Sequence, residues 1–410
     1  MPKTSIKKHE AVICVFVILF VFQSALEHIS SVFSYIDELP ALLAIVYLLK
    51  RPKRLLRLKF GDKRICLALC IFLITGLIGN ILFQYQPANL VLIDVFTCFK
   101  FILALYISEQ YLSRNVLGYR IVPKLANILS IFLFGLFLAD RILNIFPGEM
   151  RYGIKSNVLF FDHPTYLAGA CVFLVGVLTL YDYKKFKWAI LFNMILLVFT
   201  LRAKAIVGVV CYLLIYFIVV IMHSKLKIWQ IVVVGMIAVA VAWSQIAFYY
   251  IELSGTSARS AMLLTSFRIM RDYFPIGTGF GTYASHSAAV NYSPVYTKYG
   301  FELIYELRNA STGTFFDDQF WPIIFGQTGV LGTVCYLYYL FQLFIKIKYI
   351  RLVNAGAYVA CLFLFLYLLV SSTAEPAFNN SIAVPMACVL GGAFKLSQNC
   401  SQLKTNSSSN

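Results

Sequence analysis

Apolar runs about 20 residues long, the length a helix needs to cross a hydrocarbon layer, recur along this chain with little sequence between them. The runs and their charged interruptions put spans near 11–30, 34–50, 65–84, 89–107, 125–147 and 165–182. Six more fall near 187–202, 204–222, 228–251, 320–345, 355–372 and 381–396. A soluble fold would have to pack every run into one core. A composition of 60 % hydrophobic and 13 % charged residues, with a mean hydropathy of +0.79, lies outside the range of soluble domains. The expected fold is therefore all-α: a polytopic transmembrane bundle of about twelve spans with one large external loop containing helices. Residues 1–251 would carry nine spans, 252–319 the loop, 320–396 three more spans, and 397–410 a disordered tail.

Lysine and arginine bias orients such a bundle. Lys3, Lys7 and Lys8 precede the first span, and the segment from Lys50 to Arg64 is densely cationic. Arg114, Arg120 and Lys124 follow, then Lys184, Lys185 and Lys187, then Lys225 and Lys227, then Lys346, Lys348 and Arg351. These fall in alternate loops, so both termini are expected in the cytoplasm. The net charge of +17 is then mostly a topogenic signal, and no nucleic-acid partner is implied. Of ten cysteines, nine lie in apolar runs and Cys400 in the tail. With no CxxC pair, neither a structural disulfide nor a metal site is expected.

One hydrophilic stretch, 252–319, is long enough to build something. Thr256 or Ser257 can cap a helix that runs to about Phe274 and stops at Pro275. Gly277, Gly279 and Gly281 follow. No strand precedes them, so they read as a tight turn in preference to a dinucleotide fingerprint or a phosphate cradle. Tyr292, Tyr296 and Tyr299 come next, and Asp317-Asp318-Gln319-Phe320-Trp321 leads back into the membrane.

Charges at the outer end are the informative residues, because placing them beside lipid costs energy. Arg202 and Lys204 occupy a short external turn against the positive-inside bias, either snorkelling to headgroups or holding an anion. Arg259 falls in the first turn of the loop helix, where free N–H groups also favour an anion. Arg268 and Arg271 share another face of that helix. Acidic candidates are Asp317, Asp318, Asp162 and Asp37–Glu38. His163 stands before a proline, where a structural hydrogen bond is the commoner role. Asp94 and Lys100 fall within the fourth span, and Glu27 and His28 at the end of the first are candidates to line the same cavity. Outward-facing arginines suit a lipid-linked phosphate or diphosphate. Tyrosine- and tryptophan-rich segments beside them suit sugar rings.

These residues also carry a resemblance. Ser257-Ala258-Arg259 through Arg271 to Tyr283, with its glycine triplet, resembles the large external loop of bacterial polysaccharide polymerases of the Wzy type and of O-antigen ligases. Tyr292 to Tyr296, Asp318 to Pro322 and Gly326 to Gly329 are similar to the polymerase branch. Phe199 to Arg202 resembles the arginine turn of both branches, and Arg151-Tyr152-Gly153 through His163-Pro164-Thr165 is also similar to such polymerases. The resemblance covers roughly residues 150–335.

It implies metal-independent glycosyl transfer, without a cofactor, at the outer face of the bacterial cytoplasmic membrane. Arg202 and Arg259 match the two arginines that hold the donor diphosphate in ligases. The histidine that ligases carry after the loop is replaced here by Asp317, Asp318 and Gln319, which favours a polymerase of undecaprenyl-diphosphate-linked repeat units. Asp318, Asp317 or His163 would orient or deprotonate the acceptor hydroxyl. Lys204, Arg151, Arg268, Arg271, Tyr292, Tyr296 and Trp321 would bind substrate. Membrane lipid and a chain-length regulator protein are the other candidate partners. An O-antigen ligase, a polyprenyl-phosphate-dependent glycosyltransferase and a flippase are the competing readings. Against the flippase, the chain has no internal repeat.

Overall fold

A computed structural model describes residues 3–51, 60–112, 116–224, 247–253, 255, 257–308 and 315–407, and scattered positions between 229 and 243. The chain is helical almost throughout. In order, the helices are α1 (Lys3–Glu27), α2 (Leu39–Lys50), α3 (Phe60–Phe83), α4 (Ala88–Tyr111), α5 (Ile121–Leu143), α6 (Pro164–Asp182), α7 (Lys187–Phe199) and α8 (Ala203–Tyr216). After them come α9 (Ala258–Asp272), α10 (His286–Val290), α11 (Pro294–Lys298), α12 (Phe320–Ile350), α13 (Ala355–Ser371) and α14 (Ala383–Ser407). Among the described residues, eight helices are long and apolar enough to cross a membrane, and three shorter apolar ones accompany them. That is the makeup of a multi-pass membrane protein. Nearly half of the expected ninth span, together with Arg114, Lys225, Lys227, Thr256 and the middle of the cationic segment after Lys50, lies outside the described residues. Helix α14 continues to Ser407, through the segment whose composition predicts disorder.

Burial divides the helices into two kinds. In α6, 89 % of the apolar window is buried, and buried residues run around its whole circumference, as expected of a helix at the centre of a bundle. It packs against α13, which in turn contacts α8 and α12. Helix α3 is more hydropathic, yet only 28 % of its window is buried. Apolar surface of that extent suits lipid and would be costly in water.

The segment expected outside the bundle is only partly so. Ser257 caps α9 as anticipated, its side chain accepting from the Ser260 N–H. Residues 277–285 then turn inward and are buried throughout, wedged between α3, α4 and α12. Asn80 brackets Phe280, donating to its carbonyl and accepting from its N–H at 2.8 Å each. Asp94 accepts from the Gly281 N–H at 2.9 Å. The N–H groups of Thr278 and Gly279 reach the carbonyls of Gly326 and Gln327. Helix α12 breaks its geometry at Gly329 (φ 61°, ψ −159°) to receive this segment. A Cβ at Gly329 would lie 2.5 Å from the Gly277 nitrogen. The glycine triplet is thus a packed turn whose amides are spent on protein acceptors.

Candidate anion-binding site

The ends of six helices that are distant in sequence converge on one polar cluster. Two-residue strands Met150–Arg151 and Ile154–Lys155 pair as a hairpin. Tyr152 and Gly153, both at positive φ, make the turn, as a two-residue hairpin loop requires. The hairpin presents Glu149 and Arg151, whose side chains pair at 3.0 Å. Glu149 also reaches Arg202 at 3.4 Å. Arg202 is the residue before α8, and its Nη2 lies 2.8 Å from Nε2 of His163. His163 in turn caps α6, its Nδ1 accepting from the Thr165 N–H at 3.2 Å.

Two residues further on, Lys204 is ion-paired with Glu375, which sits between α13 and α14. Arg259, in the first turn of α9, pairs with Asp318 at 3.1 Å and lies 4.6 Å over the Tyr249 ring. Arg202 and Arg259 act on each other electrostatically, and Tyr249 acts on Arg202 as well. The two arginines predicted to hold one anion are therefore in the same cluster. The Nε atoms of both are buried and have no hydrogen-bond partner among the described residues.

Charge and burial set the protonation of this cluster. Burial first, then Arg202, Lys204 and Arg151, push His163 down to about 4, against the opposing pull of Glu149. The Arg151 hydrogen bond holds Glu149 below the usual carboxylate range. Burial raises Asp318, with Arg259 pulling the other way. Burial also raises Asp317, and His286 opposes it. A neutral imidazole carries one N–H. If Nδ1 accepts from Thr165, that proton sits on Nε2 and faces the Arg202 guanidinium donor across 2.8 Å. At that separation the two donors oppose each other with no room for an acceptor between them, and an anionic oxygen beside the pair would accept from both.

The other predicted residues are distributed differently. Arg268 and Arg271 are on the exposed face of α9, and Arg271 pairs with Asp272 at 3.0 Å. They do not join Arg259, because the helix turns them away from it. Tyr296 is fully buried among Tyr283, Phe301 and Phe316, with its hydroxyl accepting from the Ala284 N–H. Tyr292 packs at an angle against the same group and donates to the Leu307 carbonyl. Tyr296 belongs to the core of the loop and half-buried Tyr292 packs against it, so the expectation of sugar binding does not hold for Tyr296, which has no free face. Trp321 is half-buried and donates to Ser372 at 3.0 Å. Asp162 accepts from Ser24 at 2.9 Å and pairs with His28 at 2.5 Å. Asp94 and Lys100 have different partners: Asp94 anchors Gly281, whereas Lys100 pairs with Asp37.

Three participants were not singled out from the sequence. Glu149 and Tyr249 carry no distinctive signal there. Glu375 does, as the only Asp, Glu, Lys, Arg or His between Arg351 and Lys395, and a lone charge in such a stretch is a functional signal by itself. Compared with protein-family models the chain matches none, and among curated proteins it matches none either.

Proposed function

We propose that this protein polymerises undecaprenyl-diphosphate-linked oligosaccharide repeat units into O-antigen or a similar surface polysaccharide. The observation that carries the reading is that Arg202 and Arg259, from segments more than fifty residues apart, lie near enough to act on each other electrostatically, with His163 against Arg202. Guanidinium groups remain charged at any relevant pH and bind phosphate oxygens through forked N–H pairs. Here they would hold the diphosphate of the donor and stabilise the charge left on it as the glycosyl group departs. The growing glycan is the donor, and the sugar hydroxyl of a new lipid-linked repeat unit is the nucleophile. No metal enters this scheme.

The topology that accompanies the reading has about twelve spans and both termini in the cytoplasm. The cluster then faces the periplasm or cell exterior. Its support is the cationic bias of the opposite helix ends, with Arg120 and Lys124 at the start of α5, Lys184 to Lys187 before α7, and Lys346 to Arg351 at the end of α12.

Deleting the gene in its host and separating the surface glycan on a gel tests the reading. Loss of a polymerase leaves the acceptor capped by a single repeat unit, whereas loss of a ligase or flippase leaves it bare. Restoration of full-length chains by both Arg202→Ala and Arg259→Ala would show that the arginine cluster does not carry the activity.

A further inference from the structure

The acceptor hydroxyl must lose a proton, and the residues first in view for this are poorly disposed to take it. His163 is held near 4 and already faces Arg202. Asp318 is engaged by Arg259, and Asp317 is half-buried near His286. Glu375 differs from all three. Only 7 % of the residue is exposed, one carboxylate oxygen is paired with Lys204, and the other, Oε1, is buried with no hydrogen-bond partner among the described residues.

A buried carboxylate oxygen left without a donor is costly. The Lys204 ammonium supplies a charged partner to one of the two oxygens only. Lys204 also experiences Arg202 and Arg259, so Glu375 stands next to the cations that would hold the departing diphosphate.

We infer that Glu375 is the general base that receives the proton of the acceptor hydroxyl, a role that rests on the polymerase reading above. In the step, the hydroxyl oxygen forms a bond to the anomeric carbon of the donor sugar while its proton passes to Oε1 of Glu375. The bond from the anomeric carbon to the diphosphate oxygen breaks, and its electron pair stays on the diphosphate beside Arg202 and Arg259. The proton then leaves Glu375 to water, which restores the Lys204 ion pair. The charged and titratable groups around Glu375 are Lys204 from α8, Tyr166 from α6 and Tyr367 from α13, with Asp317 also acting on Tyr166.

The test uses the full-length protein in vesicles, with the lipid-linked repeat unit isolated from the host strain that lacks the gene. Chain lengthening and the binding of undecaprenyl diphosphate are measured separately. Glu375→Gln should bind undecaprenyl diphosphate as the wild type does, yet lengthen chains ~10²–10⁴-fold more slowly. Glu375→Asp should recover part of the rate, with the acidic limb of its pH–rate profile displaced from that of the wild type. A Gln variant that polymerises at the wild-type rate overturns the assignment. So does an Asp variant with unaltered rate and profile, and this second comparison decides the matter if the Gln variant does not fold. If the wild type itself does not lengthen the repeat unit, the polymerase reading fails and the base assignment falls with it.

Discussion

The Arg202 guanidinium and the His163 imidazole meet at 2.8 Å across 39 residues of sequence. His163 also caps α6 through its other nitrogen. A cation therefore presses on a ring that burial already disfavours in its charged form. Anion binding should relieve this opposition, and several consequences can be measured.

The first concerns pH. With His163 at about 4 in the folded protein and about 6.5 in an unfolded chain, the unfolded state binds more protons between those values. Its contribution to stability is thus present above pH ~6.5 and is lost as pH falls toward ~4. An anion beside the ring raises its proton affinity, so binding takes up a proton and tightens as the solution is acidified. Undecaprenyl diphosphate affinity followed across this range should show a steeper slope in the wild type than in His163→Gln, a comparison that cancels the titration of the phosphate itself. Equal slopes would remove His163 from the anion site.

Replacing either arginine tests the electrostatic part of the mechanism. Arg202→Ala and Arg259→Ala should each slow chain lengthening ~10²–10³-fold, the range found when one donor to a developing charge is removed. Lysine at either position should restore only part of the loss, because a point charge lacks the forked donor geometry. In the proposed reaction both groups serve one leaving group, so the double variant should be less impaired than the product of the two effects. Rates measured in vesicles with the lipid-linked substrate provide the check.

The packed turn at Gly277–Gly281 has its own signature. Gly329 adopts φ 61°, and a Cβ there would approach the Pro275 carbonyl oxygen at 2.7 Å as well as the Gly277 nitrogen. Gly329→Ala should cost about 1–3 kcal/mol from backbone strain alone, with the close contact adding to it. Thermal unfolding in detergent should show the loss, and an unchanged midpoint would mean that the turn is not seated on α12.

Deep in the bundle, Lys100 and Asp37 form an ion pair with both side chains almost wholly buried, and Gln23 donates to Asp37 at 2.9 Å. Lys100→Met leaves Asp37 buried without its cation and should destabilise by about 3–5 kcal/mol. The double variant Asp37→Asn, Lys100→Met should be clearly more stable than Lys100→Met. A denaturant series on the three proteins decides it.

Several helix limits followed closely from sequence because hydropathy and bilayer thickness act locally. The runs read near 89–107, 165–182 and 355–372 reappear as α4, α6 and α13 within a few residues at each end. Ser257 was legible as a cap for the same reason: an N-cap depends on a few neighbouring backbone groups. Arg202 and Arg259 were also visible, since a cation outside the topogenic pattern stands out without any knowledge of its partners.

What surrounds those arginines depended on tertiary structure alone. Sequence spacing could not reveal that Lys204 meets Glu375, 171 residues away, or that a turn expected outside the bundle is wedged against Asn80, Asp94 and Gln327. Nor could it tell that Tyr296 is core and has no free face. Polar groups in such a bundle must find partners among other helices, so their roles are decided by which helix ends meet. Hydropathy determines that the helices form and how long they are. Only their packing determines which charges share a site, because that packing answers to contacts made across the whole length of the chain.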